Sequence, residues 1–103
     1  MVVTLSPSEL TNLLSSDDVD VVDVRDAHEL ATGRLPHSRH VPLDAIRRSP
    51  RSHITKDGVV FVCARGMRSL TAAKVAERLG FSRLYSLDGG TSGWARAGLP
   101  LIP

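Results

Sequence analysis

The run Val59-Val60-Phe61-Val62 narrows the architecture more than any other stretch of this chain. Four β-branched or aromatic residues in succession lie between the turn residues Lys56-Asp57-Gly58 and a polar loop that begins just after Cys63. An alternating strand would leave one face wet, whereas a continuous apolar run has no polar face, so this strand has to be covered on both sides. That is the signature of a central strand in a parallel sheet flanked by helices.

The rest of the sequence supplies the other layers. A short strand is expected at 2–4 and a Val-rich strand at 19–24, because β-branched residues suit a pleated, buried surface. Between them, Ser6 reads as an N-cap, with Pro7 at the first helical position and Glu9 three residues after the cap, opening a helix that carries Leu10, Leu13 and Leu14. The same pattern recurs with Asp26 as cap, Glu29 three residues later and Gly33 as a left-handed stop, giving a short helix. A brief strand is expected at 39–41, then one or two helical turns at 43–48 that Pro50 ends. Leu70, Ala73, Val75, Ala76 and Leu79 recur at helical spacing over 69–79, a strand follows at 83–87, and Gly89-Gly90 turns the chain into a last helix near 92–97. Strands alternating with helices across short loops imply parallel pairing and an α/β sheet covered on both faces.

Composition removes several classes of function. The chain has 103 residues, enough for one small domain, and its 13 basic and 11 acidic side chains leave a net charge of +2. No apolar run approaches the roughly 20 residues that span a bilayer, and the N-terminus reads neither as a secretory leader nor as an anchor, so no membrane partner and a cytoplasmic setting are expected. The densest basic stretch, Arg47-Arg48-Ser49-Pro50-Arg51, carries no aromatic residue for stacking bases; it reads as a solvated loop, and nucleic acid is not expected as a partner. The single cysteine excludes an internal disulfide, a Cys-x-x-Cys pair and a cysteine-rich zinc site. His37 and His40 lack an evident third ligand, so no metal is expected, and no cofactor either: Gly89-Gly90-x-x-Gly93 has too little chain after it to complete a dinucleotide-binding unit. Trp94 reads as a core residue.

Ligands of parallel α/β sheets gather beyond the carboxyl ends of the strands, and the residue in that position after the most apolar strand is Cys63. The loop Cys63-Ala64-Arg65-Gly66-Met67-Arg68-Ser69 runs from a buried strand into a helix whose first amides have no partners within the helix. Gly66 permits backbone angles that let those amides converge, and Arg65 and Arg68 add two permanent cations. A thiol in that field is acidified, and the thiolate is the nucleophile. Read without the loop, Cys63 is equally an inert core residue; the glycine and arginines favour the reactive reading. Ser69 reads either as a helix-start cap or as a hydroxyl at the site.

The segment Cys63-x-x-Gly66-x-Arg68 resembles the active-site loop of single-domain rhodanese-like sulfurtransferases. Asp23-Val24-Arg25 with Glu29 and Gly33-Arg34-Leu35-Pro36 is similar to that family's amino-terminal signature, and Leu87-Asp88-Gly89-Gly90 through Trp94, then Gly98-Leu99-Pro100, to its carboxy-terminal one. Where the family commonly has Gly-Ala after the first signature, this chain has His37 and Ser38. The resemblance implies one rhodanese-like domain over 1–103, a five-stranded, mainly parallel sheet with helices on both faces, and a persulfide formed on Cys63 as catalytic residue. Ala64, Arg65, Gly66, Met67, Arg68 and Ser69 would bind the substrate, with Asp23 and Arg25 in structural support, Arg25 bonding loop carbonyls or Asp23. The implied partners are a small sulfane-sulfur donor such as thiosulfate, a cyanide or thiol acceptor, and a sulfur-relay protein if the chain acts as a carrier or binding module instead of a turnover enzyme. A phosphatase of the same fold carries its arginine six positions after the cysteine; here Arg68 comes after five, a shorter cradle that suits sulfur better than phosphate.

Overall fold

The computed structural model describes residues 1–16 and 18–103. Five strands, β1 (Val2–Leu5), β2 (Asp20–Asp23), β3 (Arg39–His40), β4 (Val59–Val62) and β5 (Leu84–Leu87), form one sheet in the order β1-β5-β4-β2-β3. Every pairing is parallel. The sheet is flanked by α1 (Pro7–Ser16), α2 (Leu43–Arg48), α3 (Pro50–His53), α4 (Met67–Arg78) and α5 (Gly90–Arg96).

The apolar run sits centrally, as its lack of a polar face requires. All four residues of β4 are buried, and successive side chains enter different cores. Val59 and Phe61 join Ile46 of α2 and Ala72, Ala73 and Ala76 of α4 on one side. Val60 and Val62 join Leu10 of α1 and Trp94 of α5 on the other. The alanines let α4 lie close to the sheet, and this brings its N-terminus over the end of β4. The indole of Trp94 is buried, and its Nε1 donates to the Pro100 carbonyl at 2.8 Å.

Local signals set most boundaries. Ser6 and Glu9 cap α1 reciprocally: the Glu9 amide donates to Ser6 Oγ at 3.1 Å, and the Ser6 amide to Glu9 Oε1 at 2.9 Å. Five boundaries or conformations differ from the sequence expectation. Pro50 ends α2 but also opens α3, because a first-turn residue needs no amide hydrogen. Residues 27–32 form a 3-10 helix, not an α-helix. Two nearby side chains compete for its backbone: Arg25 Nη1 and Thr32 Oγ1 donate to the Glu29 carbonyl, at 3.1 and 2.9 Å, and the Gly33 amide turns to Leu30 instead. Gly33 itself has φ 105° and ψ 160°, a positive-φ conformation but not the left-handed helical stop expected. Both α4 and α5 begin two residues earlier than expected, each behind a glycine in the left-handed conformation, Gly66 and Gly89.

Candidate active site

The early start of α4 decides the environment of Cys63. Gly66 is the N-cap and Ser69 the third residue of the helix, so Ser69 is not the cap. Its amide instead donates to Cys63 Sγ at 3.3 Å, and the Gly66 amide donates to the same sulfur at 3.0 Å. The sulfur thus stands where a capping side-chain oxygen would accept the orphan amides of a first helical turn. Ser69 Oγ lies 3.5 Å from Sγ and 2.7 Å from Ser86 Oγ on β5, and both serines are buried. Burial of Cys63 works against its charged form, but the Ser69 hydroxyl and the amides of Ser69, Arg65 and Gly66 outweigh it, so the thiol lies below its ordinary acidity value.

The carboxy-terminal segment holds this loop from behind. The Thr91 and Ser92 amides, in the first turn of α5, donate to the carbonyls of Cys63 and Ala64 at 2.8 and 3.1 Å. A side chain at Gly90 would collide with the Cys63 carbonyl oxygen. That glycine is therefore a requirement of contact, which a Gly-Gly turn alone does not reveal. With its carbonyls drawn toward α5, the loop is free to turn its amides toward the sulfur.

In front of the sulfur an open cavity of about 410 Å³ is lined by Glu29, Cys63, Ala64, Arg65, Met67 and Arg68. Cys63 is only 1% exposed and forms part of the cavity lining, while Met67 is 79% exposed. Of the expected loop residues, Gly66 and Ser69 act on the sulfur through backbone and hydroxyl and do not line the cavity.

The two loop arginines differ. Arg65 is exposed and makes no ion pair among the described residues. Arg68 forms a two-point pair with Glu29, Nη1 to Oε1 at 2.6 Å and Nη2 to Oε2 at 2.9 Å. The hydrogen bonds from Arg68 hold the Glu29 carboxyl down to about 2, and the same pair raises Arg68 further above its already high value. Glu29 keeps its capping function as well, accepting the Asp26 amide at 3.1 Å. The sequence identified it as a capping residue and as part of the amino-terminal signature, not as the partner of Arg68.

Asp23 and Arg25 do not line the cavity and are buried, 1% and 2% exposed. Arg25 Nε and Nη2 grip the Asp23 carboxylate at 2.8–3.1 Å, while Nη1 and Nη2 reach the carbonyls of Glu29 and Gly33. The arginine therefore bonds both the carboxylate and the loop carbonyls. His40 does not gather with His37: its Nε2 lies 2.7 Å from the Arg25 carbonyl. Among the described residues no three His, Cys, Asp or Glu side chains are grouped as a metal would require, and no helix is long and apolar enough to cross a membrane.

An all-parallel α/β sheet that ends in a strand–cysteine–helix anion cradle defines a class of phosphate- or sulfur-handling proteins. Comparison with known proteins narrows it. The family model of the rhodanese-like domain matches residues 6–97. A sulfurtransferase from Allochromatium vinosum is 37% identical over 98 residues, covering 94% of this chain and 91% of that protein. The thiosulfate sulfurtransferase GlpE of Actinobacillus pleuropneumoniae is 29% identical over 97 residues, covering 94% and 90%. A solved structure from Rhodopseudomonas palustris, described as a protein of unknown function and possible tyrosine phosphatase, is 30% identical and has a TM-score of 0.85 over 98% of this chain and 85% of its own. This chain belongs to the rhodanese-like domain family, among whose single-domain relatives are proteins named as sulfurtransferases.

Proposed function

We propose that the protein moves sulfane sulfur from a donor such as thiosulfate to a nucleophilic acceptor, cyanide or a thiol, through a persulfide on Cys63. The convergence of the Gly66 and Ser69 amides on one buried sulfur, at 3.0 and 3.3 Å, carries this reading. Those dipoles favour a charged sulfur over a neutral thiol and need no base beside it.

In the first step the Cys63 thiolate attacks the outer sulfur of the donor. The donor's S–S bond breaks, sulfite leaves with the bonding pair, and a Cys63 persulfide remains. In the second step the acceptor attacks the outer sulfur and the Cys63 thiolate is regenerated, with thiocyanate as product when the acceptor is cyanide. Arg65 is placed to hold the donor's oxygens, since Arg68 is already engaged by Glu29. The neutralised Arg68 also weighs against a phosphate monoester, a dianion that needs its arginine fork free. Cys63 is the only cysteine in the chain, so an external acceptor must discharge the persulfide, and a reducing compartment such as the cytoplasm would keep the thiol free.

The test is thiocyanate formation from thiosulfate and cyanide, beside Cys63→Ser. Turnover that survives the substitution would refute the mechanism. A gain of one sulfur on Cys63 without repeated turnover would identify a carrier that serves a relay partner.

A further inference from the structure

Both guanidinium arms of Arg68 are occupied by the two oxygens of Glu29, and Glu29 also accepts the Asp26 amide, so the carboxylate has two partners that favour this position. The charged groups lining the cavity, apart from the thiolate, are two arginines and one carboxylate. Their sum is +1, and the ionised Cys63 cancels even that. A doubly charged anion therefore enters a site that compensates only part of its charge. The space points the same way: about 410 Å³ falls in the roughly 300–1,000 Å³ range of small organic ligands, far above the need of a five-atom anion. Met67, largely exposed, adds apolar surface to the lining.

We propose that Glu29 is a specificity-determining residue: by engaging both arms of Arg68 it leaves Arg65 as the lone unpaired cation of the cavity and sets the site for singly charged sulfane donors bearing an organic group over the dianion thiosulfate. This rests on the sulfur-transfer reading above. Glu29 acts on the donor's charge, not on the reacting sulfur. Removing its negative charge frees Arg68 for a second anionic oxygen, whereas removing Arg68 leaves an uncompensated carboxylate facing the donor.

Thiosulfate and benzenethiosulfonate make the comparison cleanly, because each gives up an outer sulfur by the same S–S cleavage but they differ by one charge and a ring. With cyanide as acceptor, the full-length wild type should show the higher kcat/KM for benzenethiosulfonate. In Glu29→Gln the ratio should move about tenfold toward thiosulfate, carried by KM, and in Arg68→Gln it should move the opposite way. A pair that only supports the fold would depress both donors in parallel in both variants, and that result overturns the proposal. Arg68→Gln leaves the Asp26 cap untouched, so if Glu29→Gln folds poorly this variant decides alone: a ratio that is unchanged or shifts toward thiosulfate overturns the proposal. A second readout needs no turnover. Sulfate should protect Cys63 from iodoacetamide at about tenfold lower concentration in Glu29→Gln than in wild type, with benzenesulfonate protection changing much less; equal changes refute the assignment. If neither donor places sulfur on wild-type Cys63, the sulfur-transfer reading fails, and the protection ratio still reports on Glu29.

Discussion

Two ion pairs meet at Glu29, one lining the cavity and one buried behind it through the Glu29 carbonyl, and they are built differently. Arg25 and Asp23 are 2% and 1% exposed, and the arginine also binds two backbone carbonyls. Arg68 and Glu29 are 35% and 23% exposed, and among the described residues Arg68 makes no hydrogen bond to a carbonyl. A buried charge without its partner is costly, because neither water nor a second counter-ion replaces what was lost. A pair at the rim loses little when broken, because solvent takes over. The inner pair therefore fixes the loop that carries Glu29, and the outer pair is the adjustable one. Both involve the segment 23–33, so the geometry of the second depends on the first.

The largest expected effect separates the two pairs directly. Arg25→Ala should lower unfolding stability by about 3–5 kcal/mol in urea titration, since it strands the Asp23 carboxylate and two carbonyls at once. Replacing both partners, as Asp23→Leu with Arg25→Met, should not restore wild-type stability, because the Glu29 and Gly33 carbonyls would still lack their donor. A full recovery would show that the ion pair alone matters and that the carbonyl bonds contribute nothing.

Asp57 offers an intermediate case, a carboxylate held by amides and a hydroxyl, with no cation paired to it among the described residues. It accepts from Gly58, Ser82 and Arg83 amides and from Ser82 Oγ, at 2.8–3.0 Å, tying the entry of β4 to that of β5. Its burial opposes ionisation, but these four bonds prevail and hold it at about 2. Asp57→Ala should cost about 1–2 kcal/mol, between the inner and outer pairs. A loss as large as that of Arg25→Ala would mean that backbone-held and cation-held carboxylates are equally critical here.

The same contrast explains how far the sequence could be read. The five strands were legible because each depends on residues within its own segment, above all the Val59–Val62 run, and the sulfur loop was legible because strand, cysteine, glycine and helix are contiguous. Glu29 and Arg68 are 39 positions apart, and the capping pattern already accounted for Glu29 in full. The 3-10 conformation of 27–32 goes with the Arg25 and Thr32 side chains capturing the Glu29 carbonyl, a competition that the capping pattern alone does not announce. Gly90 looked like an ordinary turn glycine because its requirement is set by the Cys63 carbonyl, which only the assembled sheet brings near. The position of Ser86 beside Ser69 likewise follows from the β4–β5 pairing and the docking of α4.

The smallest expected effect is the stability of the outer pair. Arg68→Gln should change unfolding free energy at neutral pH by about 1 kcal/mol or less, after allowing for solvent screening of a pair this exposed. Its pH dependence identifies it. The Glu29 carboxyl falls from an ordinary 4.5 to about 2 in the folded chain, chiefly through the Arg68 hydrogen bonds. A lowered folded value contributes stability that is complete above 4.5 and is lost as pH falls through about 2. The difference in stability between wild type and Arg68→Gln should therefore be constant above pH 5 and shrink steadily toward pH 2, measured by urea titration at each pH. A difference that grew on acidification would mean that Arg68 stabilises the fold through some contact other than Glu29, and the two pairs would no longer divide into a fixed one and an adjustable one.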